Sequence, residues 1–290
     1  MSERWTARRL IAWTDAFFAG KGIETHRLDA ELLLAMALNC SRVQLYLDLD
    51  RPVTGSELDG FRGLVKRRAD REPVALIRGE REFYSRSFKI VPGVLVPRPE
   101  TEVLVEHVLL RLSSAPRPIL AADLGTGSGI IAVTLAAECD CRVIAVDVSE
   151  GALALTRENA ATHGVSDRVV TASGDYFQAL ADAGITDGFM AIAANPPYIP
   201  TASIQELMPE VREHEPLSAL DGGPEGLDHL LRIIREAFDH LLPYGVLALE
   251  FDSGQQDRLR AACTERGYRN IVTVKDYAGR PRVLLADHAP

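Results

Sequence analysis

The chain has 290 residues, 47% of them hydrophobic and 25% charged, which is material for about two globular domains of roughly 150 residues each. No run of about 18 uninterrupted apolar residues occurs, so a membrane-spanning helix is not expected. The net charge of −9 is uneven, with 13 basic and 12 acidic side chains in residues 1–80 against 19 and 29 in the remainder, and so acidic a body argues against long-range attraction to a nucleic-acid backbone.

The opening stretch, MSERWTARRL, is polar and charged and unlike a signal peptide. Residues 1–73 read as a helical domain. DAELLLAMAL and SELDGFRGLVKRRA carry apolar residues at helical spacing, each with a Ser or Asp near its start. The basic cluster FRGLVKRRADR reads as the solvated face of a helix. Over residues 74–92, PVALIRGEREFYSRSFKIV, short apolar runs flank GE and alternation appears, which predicts a β-hairpin linking the first domain to a second at 93–290. LVPRPETE then leads into an amphipathic helix, EVLVEHVLLRL.

From about residue 119 strands and helices alternate. ILAADLG, RVIAVDV, RVVTASGD, GFMAIAAN and GVLALEF read as strands, with helices such as GIIAVTLAAE and GLDHLLRIIREAFDHL between them. Near-continuous apolar strands alternating with helices predict a mostly parallel sheet covered on both faces. The last two strands, RNIVTVKD and RPRVLLAD, are joined by too short a link for a parallel crossover and must be antiparallel. Cys40, Cys139, Cys141 and Cys263 form no C-x-x-C pair. They read as reduced thiols of a cytoplasmic protein, and no metal site is expected.

The first strand of the sheet runs into DLGTGSGII, with Gly125, Gly127 and Gly129 between strand and helix. Glycines there let the backbone turn sharply and a ligand approach it, outside the carboxyl ends of the strands. The pattern is not G-x-G-x-x-G, because Ile130 stands where that fingerprint needs glycine. The next strand ends in Asp147, about 20 residues on, where an acid can accept hydrogen bonds from ribose hydroxyls. The third is followed by Asp175, with Tyr176 beside it. An acid and a ring suit an adenine, and features at the ends of three successive strands point to an adenosine-containing ligand.

The fourth strand ends in AANPPYIP. Pro196 and Pro197 cannot extend a central strand, and each holds its predecessor extended. Asn195 and Pro196 therefore lie in a stiff segment whose carbonyls lack the usual partner. Such a turn can be a strand terminator. It can equally grip a planar group with hydrogens to donate.

Asp123 followed by Gly125, Gly127 and Gly129 resembles the S-adenosylmethionine loop of the Rossmann-like methyltransferases, and NPPY resembles the signature of those that modify a planar NH₂ group. The nitrogen lone pair of such a group is delocalised. A catalyst can build density on that nitrogen by accepting both N–H bonds, here with the Asn195 side-chain oxygen and the Pro196 carbonyl, which the prolines pre-organise. Tyr198 offers a flat face. The resemblance extends over nearly the whole chain to the peptide chain release factor glutamine methyltransferases, the PrmC/HemK family, through DAELLLAMAL, VLVPRPETE, DLGTGSG, NPPYIP, MPEVREHEPLSALDGGPEGL and KDYAGRPRV.

That resemblance implies a class I S-adenosylmethionine-dependent methyltransferase domain, a mostly parallel seven-stranded sheet with an antiparallel last strand, behind a helical substrate-recognition domain. It implies N5-methylation of the glutamine in the Gly-Gly-Gln loop of release factors, with S-adenosylhomocysteine as product. Asp123, Gly125, Thr126, Gly127, Ser128, Gly129, Asp147, Asp175, Tyr176 and Asn195 would meet the cofactor. Asn195, Pro196, Pro197 and Tyr198 would hold the glutamine, with Asn195, Pro196 and Tyr198 catalytic. The partner is a protein, with neither nucleic acid nor membrane involved, and the enzyme is expected to be a monomer. Phe251 and Asp252 stand where the family usually has a glycine soon after Leu-Glu, and Ala194 where it often has Ser. Glu250 carries no assigned role. Rival readings are a ribosomal-protein glutamine methyltransferase, a nucleic-acid amino methyltransferase and a non-catalytic binding protein.

Overall fold

Thr6, Ser41 and Thr54 each sit in extended backbone and accept a hydrogen bond from an amide of the following helical turn. These caps satisfy N–H groups that a helix start leaves open, and they begin α1 (Ala7–Gly20), α3 (Arg42–Leu47) and α4 (Gly55–Ala69). Between the first two lies α2 (His26–Ala37). Ser41 with Gln44, and Thr54 with Glu57, close full capping boxes. The apolar faces of these helices meet around Leu10, Ile11, Phe18, Leu33, Leu34 and Phe61, all buried. The structure, a computed structural model, describes residues 5–186 and 188–289. It divides into two units, one made of the described residues up to Glu80 with Pro209–His214, the other of the remaining described residues from Arg81 onward.

In the first unit the basic cluster is only partly a solvated helix face. Arg62 is exposed, as expected. Arg68 is buried, with Asp29 at 2.7 Å and Glu210 at 2.9 Å, and Arg71 also reaches Glu210 at 2.9 Å. A buried guanidinium needs such carboxylates, since burying an unpaired charge is costly.

The expected hairpin is shorter than 74–92. Its first part is a helix, α5 (Val74–Arg78), which begins after Pro73 and ends at Gly79 in the left-handed conformation. Its apolar run, Ala75 to Ile77, is buried on a helical turn, the ambiguity inherent in short apolar stretches. The hairpin itself is β1 (Glu80–Phe83) and β2 (Arg86–Lys89), turning through Tyr84 and Ser85 with φ of 50° and 58°.

The second unit continues with α6 (Thr101–Leu112), β3 (Ile119–Leu124), α7 (Ile130–Glu138), β4 (Cys141–Asp147), α8 (Glu150–Thr162), β5 (Val169–Ser173), α9 (Phe177–Asp182) and β6 (Phe189–Ala194). After α10 (Pro209–Arg212), which belongs to the first unit, come α11 (Asp228–Ala237), β7 (Leu241–Glu250), α12 (Gln256–Arg266), β8 (Arg269–Lys275) and β9 (Pro281–Asp287). The seven-stranded sheet has the order β5-β4-β3-β6-β7-β9-β8. The five strands from β5 to β7 are parallel, and β9 runs antiparallel to both β7 and β8. All six residues of β6 are buried, as a strand covered on both faces requires. The chain starts the sheet at β3, builds outward to β5, then returns to the other side of β3 as β6. That reversal opens a crevice between the carboxyl ends of β3 and β6, where ligands of such sheets bind.

Candidate active site

The loop after β3 is held from below and from the side. Gly125 and Thr126 both donate their amides to the Val146 carbonyl at the end of β4, at 2.8 and 2.9 Å. Asp123, fully buried, accepts from the Thr126 hydroxyl at 2.6 Å and from the Ala132 amide at 3.0 Å through one oxygen. Its other oxygen is buried without a partner. Burial pushes its carboxyl up to about 7, as expected for an acid removed from water. On the far side, Asn159 of α8 donates to the Ser128 carbonyl at 2.8 Å. Gly129 has φ of +81°, and a Cβ there would stand 3.1 Å from the Thr156 Cα. Only glycine lets α7 begin this close to α8.

Asp147 joins the loop to β4. Its Oδ2 accepts from the Gly127 amide and its Oδ1 from the Ser149 amide, both at 2.9 Å. Each carboxylate oxygen keeps a further lone-pair site for a ligand hydroxyl. Asp175 and Tyr176 follow β5 and are both fastened to α11. The Asp175 carboxylate pairs with Arg232 at 2.6 Å, and the Tyr176 hydroxyl meets His229 Nδ1 at 3.0 Å. The Tyr176 backbone has a positive φ of 46°. Burial raises its phenol above the usual tyrosine range, so it stays neutral.

A cleft of about 1030 Å³, including its solvent-filled mouth, runs along this rim. Gly125 to Ser128, Asp147, Asp175 and Tyr176 line it, and so do Asn195 and Pro197 beyond β6. Ile130, Val148 and Ala152 supply apolar wall. Thr101 and His229, which sequence reasoning did not single out, line it too. Asp123, Gly129, Pro196 and Tyr198 are not among the residues that line it. Arg98 and Pro216 also face the cleft, and Arg98 grips the buried Glu215 carboxylate with contacts of 2.8 and 2.7 Å. That pair fixes the segment before α6 to the segment after α10.

The NPPY backbone is braced by residues far away in sequence. Gln255 Nε2 donates to the Tyr198 carbonyl at 2.9 Å and to the Gly226 carbonyl at 2.8 Å. A Cβ on Gly226 would lie 2.3 Å from the Tyr198 oxygen, and one on Gly222 would lie 2.8 Å from the Tyr198 Cα. Gly222 and Gly226 of LDGGPEGL are therefore room for the NPPY turn. The side chains meet at Glu250, the last residue of β7. Register pairs Ala194 with Leu249, so Asn195 and Glu250 leave adjacent strands side by side. Glu250 is buried and accepts from Thr101 Oγ1 at 2.7 Å and from the Tyr198 hydroxyl at 3.3 Å. Asn195 Nδ2 donates to Thr101 Oγ1 at 3.2 Å.

Known proteins resemble this chain over most of its length. Residues 9–79 match the family described as PrmC N-terminal domain, and residues 121–214 the one described as methyltransferase domain. A release factor glutamine methyltransferase of Geobacter sulfurreducens is 43% identical over 283 residues, 97% of this chain and 96% of that protein. One from Rhodopirellula baltica is 41% identical over 98% of this chain and 97% of its own. The chain belongs to the release factor glutamine methyltransferase family. Among solved structures, a methyltransferase from Pyrococcus furiosus (TM-score 0.51, 21% identity, 72% of this chain and 91% of that one) shares the fold. So does a ribosomal protein L11 methylase from Lactobacillus delbrueckii subsp. bulgaricus (TM-score 0.50, 22% identity, 72% and 90%).

For a release factor glutamine methyltransferase, the sequence reading left out Thr101, Glu250, Gln255 and His229. Only Glu250 carried a signal, as an acid in an otherwise apolar strand end that needs a buried partner. The Phe251 that departs from the family pattern is wholly buried in the core. Asp252 caps the next turn through the Gly254 amide at 3.0 Å.

Proposed function

We propose that this chain transfers a methyl group from S-adenosylmethionine to the side-chain nitrogen of the glutamine in the Gly-Gly-Gln loop of peptide chain release factors. The observation that carries this reading is the NPPY turn across the switch-point crevice from the glycine loop, in a chain whose relatives of that name match it end to end.

The crevice suits this cofactor better than a dinucleotide. The Gly127 amide, which a diphosphate would need, is already given to Asp147 at 2.9 Å, and Asp123 adds acidic character below the loop. A positively charged methionine end is favoured there and a phosphate is not. Gly125 to Gly129 would follow the methionine end, Asp147 the ribose hydroxyls, and Asp175 and Tyr176 the adenine. When bound, the cofactor supplies an electrophilic methyl on a sulfonium.

The protein's own work is at the acceptor. The Asn195 side-chain oxygen and the Pro196 carbonyl accept the two N–H bonds of the glutamine amide, orient its lone pair and stabilise the positive charge that grows on nitrogen. Pro196 and Pro197 hold these acceptors in place beforehand, and Tyr198 backs the turn. As the bond from nitrogen to the methyl carbon forms and the sulfonium S–C bond breaks to leave a neutral thioether, the nitrogen becomes acidic and gives up a proton to solvent, so a strong general base is not required. The helical unit would recognise the release factor, acting as a monomer in the cytoplasm without nucleic acid.

Incubation with methyl-labelled cofactor and, in parallel, release factor, ribosomal protein, tRNA and DNA tests this. Label is expected on the release factor. Label confined to ribosomal protein or to nucleic acid would select a rival reading.

A further inference from the structure

We infer that Thr101 and Glu250 are positioning residues that set which end of the Asn195 amide faces the substrate. The inference rests on the proposed role of Asn195 as acceptor and adds how that acceptor is aimed.

The argument is one of hydrogen count. A carboxylate only accepts, and a threonine hydroxyl has a single hydrogen. Thr101, wholly buried, spends that hydrogen on Glu250 Oε2 at 2.7 Å. Toward Asn195 it can therefore only accept, and the group at 3.2 Å must be the amide NH₂. The amide is planar, so its oxygen is turned away from Thr101. Both Thr101 and Asn195 line the cleft, which leaves that oxygen available to a substrate N–H. Tyr198 spends its hydroxyl hydrogen on the other oxygen of Glu250 at 3.3 Å. One carboxylate thus holds both ends of the NPPY turn.

Remove the charge, and the relay loses its direction. A neutral or apolar group at position 250 no longer obliges Thr101 to donate to it, and Thr101 can give its hydrogen to the Asn195 oxygen. The amide would then turn over and meet the substrate NH₂ donor to donor. A purely structural Glu250 has no such consequence. Burying a carboxylate at a strand end is costly, and apolar neighbours such as Phe251 show what the core accepts when no direction has to be enforced.

The test uses the full-length enzyme with intact release factor and labelled cofactor. Thr101→Val keeps the shape but cannot accept, and kcat is expected to fall about 10²-fold, the scale of one pre-organised polar group. KM for the factor should stay near wild type, while the melting temperature should fall somewhat because Glu250 Oε2 loses its buried donor. Thr101→Ser restores the hydroxyl and should recover most of the rate. Glu250→Leu offers Thr101 no acceptor and should lose kcat like Thr101→Val, and it carries the test should the valine variant fold poorly. Wild-type kcat in Thr101→Val or in Glu250→Leu overturns the inference, as does a serine variant as slow as the valine one. If the wild type labels the factor while these variants do too, only this inference fails. If the wild type does not label it, the proposed function fails and takes the inference with it.

Discussion

The amide nitrogen of Gly127 lies 2.9 Å from Oδ2 of Asp147, which ties the glycine loop to the end of the neighbouring strand. On the proposed reading Asp147 would act on cofactor binding twice, through the ribose hydroxyls it would accept from and through the loop it holds. Charged hydrogen bonds contribute about 1.5–3 kcal/mol each, so Asp147→Ala should weaken cofactor binding by at least about tenfold. Titration calorimetry reads this directly, and wild-type affinity would remove Asp147 from the site.

Asn195→Ala should lower the methylation rate by about 10² or more while the melting temperature changes little. The Asn195 backbone is fixed by its neighbours, and its side chain bonds only Thr101 among the described residues. Turnover near the wild-type rate would reduce NPPY to a strand terminator.

Gly226 and Gly164 offer a controlled pair. Both are left-handed, with φ of +72° and +69°, but a Cβ on Gly226 would meet the Tyr198 oxygen at 2.3 Å whereas one on Gly164 meets nothing within 4 Å. Each alanine variant carries the left-handed penalty of about 1–2 kcal/mol. Gly226→Ala must also push on NPPY, so it should melt lower than Gly164→Ala and lose about tenfold or more in kcat, the order expected for a small misplacement of a catalytic group. Gly164→Ala should keep its rate. Equal kcat in the two variants would show that Gly226 does not shape the turn.

The pH dependence of activity and stability should run in opposite directions. Burial pushes Glu250 up to about 7, opposed by the Thr101 hydrogen bond, by Arg282 of β9 and by Tyr198, and assisted by Glu100 ahead of α6. An acid whose folded pKa lies above its unfolded one favours the fold when protonated. The stability contributed by Glu250 and Asp123 is therefore fully present below the ordinary carboxylate range and is lost as pH rises through about 7. Activity needs Glu250 ionised, so kcat should rise through the same window. In Glu250→Gln the kcat trend should flatten, and the stability trend should keep only the part that Asp123 contributes. A wild-type kcat that is level from about pH 6 to pH 8 would contradict this.

Much of this architecture is legible in the sequence because its signals are local. Strand–helix alternation, the glycines after β3, Asp147 at the end of β4 and the prolines after β6 all follow from rules that act within a few residues. The short link before β9 suffices to make the closing strands antiparallel. What sequence reasoning missed depends on register. Thr101, Asn195 and Glu250 are 94 and 55 residues apart in turn, and they meet only because β6 and β7 are neighbours with Ala194 opposite Leu249. Gln255 reaches Tyr198 in the same way. The run at Val74–Arg78 reads as strand in the sequence, although it forms a helix, because a short apolar run has no period long enough to distinguish the two. Arg68 looked solvated because its carboxylates, Asp29 and Glu210, lie far off in the chain.

The most direct test of the central claim is to locate the methyl group. Release factor is methylated with labelled cofactor, digested, and its peptides are mapped by mass spectrometry. Asn195 and Pro196 can offer two acceptors to one planar NH₂, and adjacent glycines let a narrow loop enter closely. The expected product carries a single methyl on the side-chain nitrogen of the glutamine in Gly-Gly-Gln. Asparagine at that position shortens the arm by about 1.5 Å, and a misplacement near 1 Å can already cost about a hundredfold, so that factor should take almost no label. Label on the asparagine factor at a comparable rate, on a different residue, or on nucleic acid would contradict the account.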